Sequence, residues 1–256
     1  MQRLTTLLFD VDGTLAETEE IHRRSFNQAF ADAGLEWAWS KERYGELLAV
    51  TGGKERIRHF IERHAPEFDA PADLDAFIAE LHAAKTRYYT ETVAAGGVPL
   101  RPGVRRLLLD ARRNGLRLGI ATTTTPDNVT VLLQKSLAPD ALDWFDVIAA
   151  GGVVPKKKPA PDIYVHAMRE LGVTPDQCLA FEDSRNGLLS AQRAGLETLV
   201  TVSCYTEHED FPGALTVLDH LGEPDQPCQS LHGPAPAQGY VDVAFLESLR
   251  EQRRVG

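Results

Sequence analysis

The sequence contains few cysteines, and their arrangement argues against a common class of metal site. Cys178, Cys204 and Cys228 are odd in number and far apart in a chain of 256 residues. They show neither a C-x-x-C spacing nor a neighbouring histidine pair, which are the usual signs of a zinc site. We therefore expect free thiols in a reducing compartment.

Basic residues are also in deficit. The 27 lysines and arginines are outnumbered by 37 aspartates and glutamates, which gives a formal net charge of -10 at pH 7. Binding of nucleic acid or of an anionic membrane normally requires clustered basic residues, so neither partner is expected. The same charge would repel a phosphorylated substrate. Phosphate chemistry would therefore require local positive charge from a metal ion or from well-placed lysines.

A long hydrophobic run is missing from the N-terminal segment. The apolar stretch in MQRLTTLLFDVDG is too short for a membrane span or a signal sequence, and acidic residues follow it directly. We expect no targeting segment and a cytoplasmic location. With 43% hydrophobic and 25% charged residues, the composition is typical of a soluble globular protein with a sizeable core. A monomer is expected.

Short apolar runs alternate with amphipathic segments of helix length over most of the chain. Strands are predicted at residues 5–9, 118–121, 147–149, 178–181 and 198–202. Helices are predicted at 102–114, 127–137, 162–171 and 184–194 and, after an irregular tail at 223–239, near 241–253. This alternation predicts an α/β fold in which helices cover both faces of a parallel sheet.

The segment between the first two strands is helical throughout. Helices are predicted at residues 18–33, 40–48, 54–64 and 73–96. Because these helices interrupt the α/β pattern directly after its first strand, we interpret residues 17–97 as an inserted all-helical cap domain. Residues 1–16 and 98–256 would form the catalytic core. An insertion at the C-terminal end of a strand is placed to act as a lid.

Polar residues follow four of the predicted strands. In open parallel sheets, ligands bind at the C-terminal ends of the strands, so these residues should lie together. The residues are Asp10 and Asp12 after the first strand, Thr122 after the second, Lys158 in the loop after the third, and Glu182 and Asp183 after the fourth. The sequence thus places carboxylates, a hydroxyl and a lysine around one point.

This group of side chains predicts magnesium-dependent phosphate chemistry. Unpaired carboxylates in one pocket raise each other's pKa, so they normally surround a cation, and hard oxygen ligands suit Mg2+. Asp10 would attack phosphorus and form an aspartyl phosphate. Asp12 would protonate the leaving oxygen and then deprotonate the attacking water. Thr122 and Lys158 would hold the equatorial phosphate oxygens.

The strings DVDGT, KKPAPDIY and FEDS, with a threonine after the second strand, resemble the four motifs of the haloacid dehalogenase-like phosphatase superfamily. The helical insertion is similar to the cap of the beta-phosphoglucomutase-like branch. LAETEEIHRRSF, TGGKERI, IATTTTPDNV and VIAAGG look most like the CbbY-type sugar-bisphosphate phosphatases. The resemblance covers almost the whole chain and is weakest after about residue 204. It implies a Rossmann-like core that hydrolyses a small sugar phosphate or bisphosphate, such as xylulose 1,5-bisphosphate, a compound linked to the Calvin cycle.

The resemblance also implies roles for individual residues. Asp10 would be the nucleophile, Asp12 the acid/base, and Thr122 and Lys158 the phosphate ligands. Mg2+ would be held by Asp10, the Asp12 carbonyl and Asp183, with Glu182 close by. The implied substrate contacts are Glu17, His22, Gly52, Gly53, Lys54, Arg56, Lys85 and Thr123, of which Lys54, Arg56 and Lys85 are the candidates for a second phosphate. For Thr123 to Thr125, backbone and capping roles are favoured.

Other interpretations stay open on the sequence alone. A sugar phosphomutase would share the core but hold the intermediate for back-transfer. A phospho-accepting signalling module also combines Asp, Lys, Thr and Mg2+ on a parallel sheet, but this chain is far longer, and its second acid suits protonation of a leaving group. Trp37, Trp39 and Tyr44 are expected to pack inside the cap, although Tyr44 could reach the cleft.

Overall fold

A seven-stranded sheet forms the core of the computed structural model, which describes residues 3–255, with side chains through residue 252. The strand order is β3-β2-β1-β4-β5-β6-β7, and only β7 runs antiparallel to its neighbour. The strands are β1 (Thr6–Phe9), β2 (Arg117–Ala121), β3 (Val147–Ala149), β4 (Cys178–Glu182), β5 (Glu197–Thr201), β6 (Thr216–Leu218) and β7 (Ser230–His232).

Helices cover the sheet and form the insertion, as the periodicity predicts. They are α1 (Glu19–Asp32), α2 (Lys41–Leu47), α3 (Gly53–His64), α4 (Leu74–Gly96), α5 (Val104–Arg113), α6 (Pro126–Leu132), α7 (Asp162–Leu171), α8 (Arg185–Arg193) and α9 (Val243–Val255). α6 continues into a π-helical turn at Leu133–Leu137. Within the described chain, none of the helices combines the length and the apolar character that a membrane crossing requires.

Three helices begin at the caps that their sequences indicate. The side chains of Ser40, Asp73 and Ser184 accept hydrogen bonds from the backbone N–H three residues on, at 3.1, 2.9 and 3.2 Å. Each bond satisfies one of the N–H groups that a helix start leaves without an intrahelical partner. These local signals explain why the boundaries of α2, α4 and α8 are close to the predicted ones.

The predicted α/β fold is confirmed, but the C-terminal part of the sheet differs from the prediction. The tail at 223–239 was expected to be irregular, yet Ser230–His232 adds an antiparallel edge strand to Thr216–Leu218, a strand that was not predicted. Both strands have three residues. No helix separates β5, β6 and β7, so the strand–helix alternation that indicated the equally short β3 is missing here.

Two apolar clusters bear on the division into core and cap. The cap has its own cluster, in which Trp39 and Tyr44 are fully buried, as expected for cap packing. Helix α4 is shared: Leu81 belongs to the cap cluster, whereas Tyr89 and Val93 belong to the core cluster. The boundaries at residues 17 and 97 stay a prediction, and the second half of α4 packs with the core.

Candidate active site

Sheet register brings the predicted residues of β1 and β4 side by side. β1 lies between β2 and β4, and Phe9 is paired with both Ile120 and Phe181. Asp10 therefore follows β1 at the level where β4 reaches Glu182, and Thr122 follows β2 one residue further on. All three residues line one cavity together with Asp12, Lys158 and Asp183.

Lys158 lies between two carboxylates of the site. Its Nζ donates to Asp10 Oδ1 and to Glu182 Oε1, at 2.7 Å in each case, and its side chain is 5% exposed. Burial by itself lowers the pKa of a lysine, but the two carboxylates outweigh it and raise the pKa of Lys158. Tyr164 donates a further hydrogen bond to Glu182 Oε1. Lys158 is thus a permanently charged donor beside the Asp10 carboxylate.

Three buried carboxylates lie close enough together to hold a cation. Oxygen atoms of Asp10, Glu182 and Asp183 lie within 4.8 Å of one another. Burial raises the pKa of Asp10 to about 7, and the neighbouring Glu182 adds to this rise while Lys158 opposes it. Burial also raises the pKa of Asp183 well above its ordinary value, and the charges of Asp10 and Glu182 raise it further. Three ionised groups at this spacing repel one another unless a cation lies between them.

The residues of this acidic site fit Mg2+. Glu182 Oε2 is buried and has no hydrogen-bond partner among the described residues, so the site holds an unsatisfied carboxylate oxygen. Hard carboxylate oxygens are the ligands that Mg2+ prefers. Two glycines allow the carboxylates to lie against bare backbone: a Cβ at Gly13 would be 2.1 Å from Asp183 Oδ2, and one at Gly187 would be 1.8 Å from Glu182 Oε2.

Asp12 is held by residues that lead into the cap. Its Oδ1 accepts from Thr18 Oγ1 at 2.5 Å and lies 2.9 Å from His22 Nε2, while Lys85 Nζ lies 2.6 Å from His22 Nδ1. Lysine can only donate, so Nδ1 accepts, and Nε2 carries the proton that is donated to Asp12. Burial alone would raise the pKa of Asp12, but the hydrogen bonds from His22 and Thr18 and the charge of Lys85 lower it. Asp12 is therefore ionised at neutral pH.

Lys85 was predicted to bind a second phosphate, and the structure places it behind His22 at the edge of the cavity. The His22 ring stacks on Tyr89 with a centroid distance of 4.2 Å. The Lys85 ammonium lies over the rings of Phe26 and Tyr89, at 4.9 and 5.5 Å from their centroids. Burial lowers the pKa of Lys85 to about 8. The cap thus holds a buried cation whose direct partner is an uncharged ring nitrogen.

The other predicted cap contacts divide into two groups. Gly52, Gly53 and Arg56 line the cavity, and Arg56 is buried, with Nη1 donating to the Tyr44 hydroxyl at 3.0 Å. Lys54 is exposed and does not line it. The structure does not bring Glu17 to the cavity lining either.

Thr122 and its neighbours lie directly after the C-terminal end of β2. Thr122 is 1% exposed, its backbone N–H donates to Ala149, and its hydroxyl accepts from the backbone N–H of Thr124. Thr123 also lines the cavity, and Thr124 accepts from Asn128. The cavity that these residues share with the cap is open to solvent.

Several lining residues were not predicted. Ser203 stands just past β5 and hydrogen-bonds Asp183, so the strand-end rule used for the other strands would have found it. Asn186 reaches from α8 to the cap, where its side chain donates to the carbonyl of Ala49 at 3.1 Å and to the Thr51 hydroxyl at 3.2 Å. His82, one helical turn before Lys85, had been assigned no role. Whether His82 lines the cavity depends on how α4 packs in the folded protein, and the sequence alone does not show this packing.

Comparison with known proteins agrees with this geometry. The model of the haloacid dehalogenase-like hydrolases matches residues 4–195. The chain belongs to this family. CbbY of Cupriavidus necator, encoded on a plasmid, is 46% identical over 245 residues, which are 96% of this chain and 96% of that protein. The predicted enzyme class, a phosphatase of this superfamily, and the predicted likeness to CbbY-type proteins are confirmed.

Solved structures show the same similarity. The crystal structure of a Rhodobacter sphaeroides CbbY variant in complex with xylulose 1,5-bisphosphate is 48% identical, covers 86% of this chain and 96% of that chain, and has a TM-score of 0.81. A beta-phosphoglucomutase from Clostridium difficile is 17% identical, covers 99% of this chain and 100% of that chain, and has a TM-score of 0.75. The second likeness concerns the fold alone.

Proposed function

We propose that this chain hydrolyses a small sugar bisphosphate, with xylulose 1,5-bisphosphate as the first candidate, through an aspartyl phosphate on Asp10. The observation that carries the proposal is the division of charge within one cavity. Its core end holds Asp10, Glu182 and Asp183 with a single paired lysine, and its cap end holds Arg56 and Lys85 with one carboxylate, that of Glu19. The xylulose 1,5-bisphosphate complex of the Rhodobacter sphaeroides relative supports this choice of substrate.

The first half of the reaction would use Asp10, Lys158 and Asp12. A carboxylate oxygen of Asp10 forms a bond to phosphorus while the bond from phosphorus to the sugar oxygen breaks. Lys158, 2.7 Å from Asp10, donates to the phosphoryl oxygens that gain charge in the transition state. The departing sugar oxygen takes a proton from Asp12. Bound Mg2+ would supply positive charge that balances Asp10, Glu182 and Asp183 against the phosphate.

Asp12 must gain a proton before it can act as an acid. The hydrogen bonds from His22 and Thr18 and the charge of Lys85 hold its pKa below the ordinary value. A bound phosphate dianion is a like charge next to Asp12, and it opposes that lowering. In the second half of the reaction the Asp12 carboxylate accepts a proton from water, whose oxygen displaces Asp10 from phosphorus. The hydrogen bonds from Thr18 and His22 hold the Asp12 carboxylate in one orientation during both steps.

The cap end of the cavity suits the second phosphate. Arg56 donates through Nε to the Leu47 carbonyl and through Nη1 to Tyr44, which fixes the orientation of its guanidinium. The N-terminus of α3 begins at Gly53 beside it, where backbone N–H groups favour an anion. The Tyr44 hydroxyl donates to Glu19 at 2.6 Å, which draws this carboxylate toward the tyrosine. Arg56 then remains to bind the phosphate.

Release of inorganic phosphate tests the proposal directly. The purified protein would be assayed with Mg2+ on xylulose 1,5-bisphosphate, ribulose 1,5-bisphosphate, glucose 1-phosphate and p-nitrophenyl phosphate. We expect the highest kcat/KM for a bisphosphate, loss of turnover with EDTA and recovery on adding excess Mg2+. Folded protein that releases no phosphate from any compound would contradict the proposal. Conversion of glucose 1-phosphate to an isomer without free phosphate would support a mutase instead.

A further inference from the structure

Arg101 is a buried cation that takes no part in the reaction proposed above. Its side chain is 7% exposed, and it lies in the second linker between cap and core. The residue before it, Leu100, forms an isolated antiparallel bridge with Ala16 in the first linker, and the backbone N–H of Arg101 donates to the Leu15 carbonyl at 2.9 Å. Arg101 is thus attached to both chain segments that connect the cap.

Every nitrogen of the Arg101 guanidinium has a partner. Nη1 donates to the carbonyl of Gly13 and to the carbonyl and hydroxyl of Thr201, the latter two at 3.0 and 3.1 Å. Nη2 donates to the carbonyls of Val202 and, at 2.7 Å, Asp219. These acceptors belong to the loop after β1, the end of β5 and the C-terminal segment. One planar side chain therefore joins three parts of the core.

Nε of Arg101 faces Glu17 Oε1 at 3.2 Å. Glu17 is the first residue of the proposed cap, so this ion pair joins the first linker to the second. The pair also explains why Glu17 lies away from the cavity lining in this structure.

The bond to Gly13 reaches the catalytic loop itself. Gly13 directly follows Asp12 and has a φ of 79°, a conformation that favours glycine. Its N–H donates to the Ala16 carbonyl at 2.9 Å, and its Cα lies against Asp183. The N–H of Gly13 belongs to the Asp12–Gly13 peptide and its carbonyl to the Gly13–Thr14 peptide, so both peptides that flank Gly13 are held. Loss of the Arg101 bond would release the second of them.

We propose that Arg101 is a positioning residue for Asp12. It holds the Gly13 peptide against the end of β5 and joins the two cap linkers, so that the Asp12 carboxylate stays between the phosphoryl site and His22. The inference rests on the proposed function, because it takes Asp12 as the acid that protonates the leaving oxygen. Lysine cannot replace the arginine, since an ammonium has three donors and lacks the planar fork that reaches all of these acceptors.

The test compares two substrates that differ in their need for that proton. A sugar phosphate expels an alkoxide and depends on Asp12, whereas p-nitrophenyl phosphate expels a stable phenolate and depends on it little. For Arg101→Lys and Arg101→Met we expect the ratio of kcat/KM for the sugar phosphate to kcat/KM for p-nitrophenyl phosphate to fall at least about tenfold, part of the 10²- to 10⁴-fold typical of an acid–base group. The ratio does not depend on the fraction of protein that is folded.

Arg106 supplies the matched control. It also donates to backbone carbonyls, those of Leu221, Gly222 and Val241, and pairs with the Glu223 carboxylate at 3.2 Å, but it has no contact with the loop after β1. Arg106→Lys and Arg106→Met should lower the melting temperature and leave the ratio unchanged. Asp12→Asn gives the reference value, with a larger fall than either Arg101 variant.

Each other outcome overturns the inference. An unchanged ratio in folded Arg101 variants would show that Arg101 only stabilises the protein. Failure of both Arg101 variants to fold, while the Arg106 variants fold, would lead to the same conclusion. An unchanged ratio in Asp12→Asn would reject the acid–base step of the proposed function and this inference with it. A wild-type protein inactive on sugar phosphates would reject the proposed function, a result distinguishable from the first two.

Discussion

The two buried lysines of the cavity, one at each end, have pKa values that shift in opposite directions. Lys158 at the core end touches two carboxylates, which raise its pKa although burial opposes the rise. Lys85 at the cap end touches the His22 ring, and burial lowers its pKa to about 8. The core end has more carboxylates than cations, so it favours binding of a positive ion. The cap end has more cations than carboxylates, so it favours binding of an anion.

His82 makes the contrast clearer. It lines the cap end of the cavity, and burial together with the charges of Lys85 and Lys54 lowers its pKa to about 3. A histidine among carboxylates would shift the other way. Burial and the charges of the two lysines together keep this imidazole neutral at physiological pH. A substrate with a phosphate at each end matches both halves, provided that a metal ion occupies the acidic one.

The largest expected effect comes from the core end. Asp10→Asn preserves the shape of the side chain but removes the nucleophile, and turnover of every substrate should fall by about 10⁴-fold or more. Phosphate release and a melting curve would be measured together, since the amide keeps the fold. The exposed Asp69→Asn is the control and should leave both unchanged. Substantial residual turnover in Asp10→Asn would assign the attack to another group.

A smaller and more selective effect is expected at the cap end. Arg56→Gln should raise KM for a bisphosphate about tenfold or more, because a hydrogen bond to a charged group contributes about 1.5–3 kcal/mol. KM for a monophosphate should change much less. The control is Arg58→Gln, on the same helix but paired with Asp75 on the outer side of the cap. Equal rises in both KM values would show that the cap end does not select the second phosphate.

The smallest effect is expected where the two ends meet. Asn186→Ala removes the side chain that joins α8 to Ala49 and Thr51, and kcat/KM should fall about two- to tenfold, as the loss of one ordinary hydrogen bond would cause. Asn114→Ala, at the exposed end of α5, is the control. Steady-state kinetics on the same sugar phosphate would compare them. An unchanged kcat/KM would mean that this contact does not help to close the cap over the substrate.

The core end was predictable because parallel strands impose its geometry. Once β1, β2 and β4 are recognised, the residues after each strand must meet at one edge, so Asp10, Thr122 and Glu182 needed no knowledge of distant packing. Ser203 was missed although the same rule applies to β5. β6 and β7 were missed because no helix separates them from β5 or from each other, so the strand–helix alternation that indicated β3 is missing there.

The cap end was less predictable, because residues that are close in the sequence of a helix can lie on opposite faces of that helix. Lys54 and Arg56 are two residues apart on α3, which places their side chains on nearly opposite faces, and only Arg56 turns inward. Which face turns inward depends on how α3 packs against the rest of the cap. The position of Glu17 depends on Arg101, a partner far along the chain that no local pattern identifies.

The shared helix α4 has a mechanical consequence. Its 23 residues make a rod of about 35 Å, fixed to the core near Tyr89 and Val93 and carrying cap residues such as Leu81 on its other half. From Leu74 to Tyr89 the helix is about 22 Å long, so a tilt of about 10° at Tyr89 would move its free end by roughly 4 Å. A small repacking of side chains between α4 and α6 would therefore be amplified at the cap end of the helix.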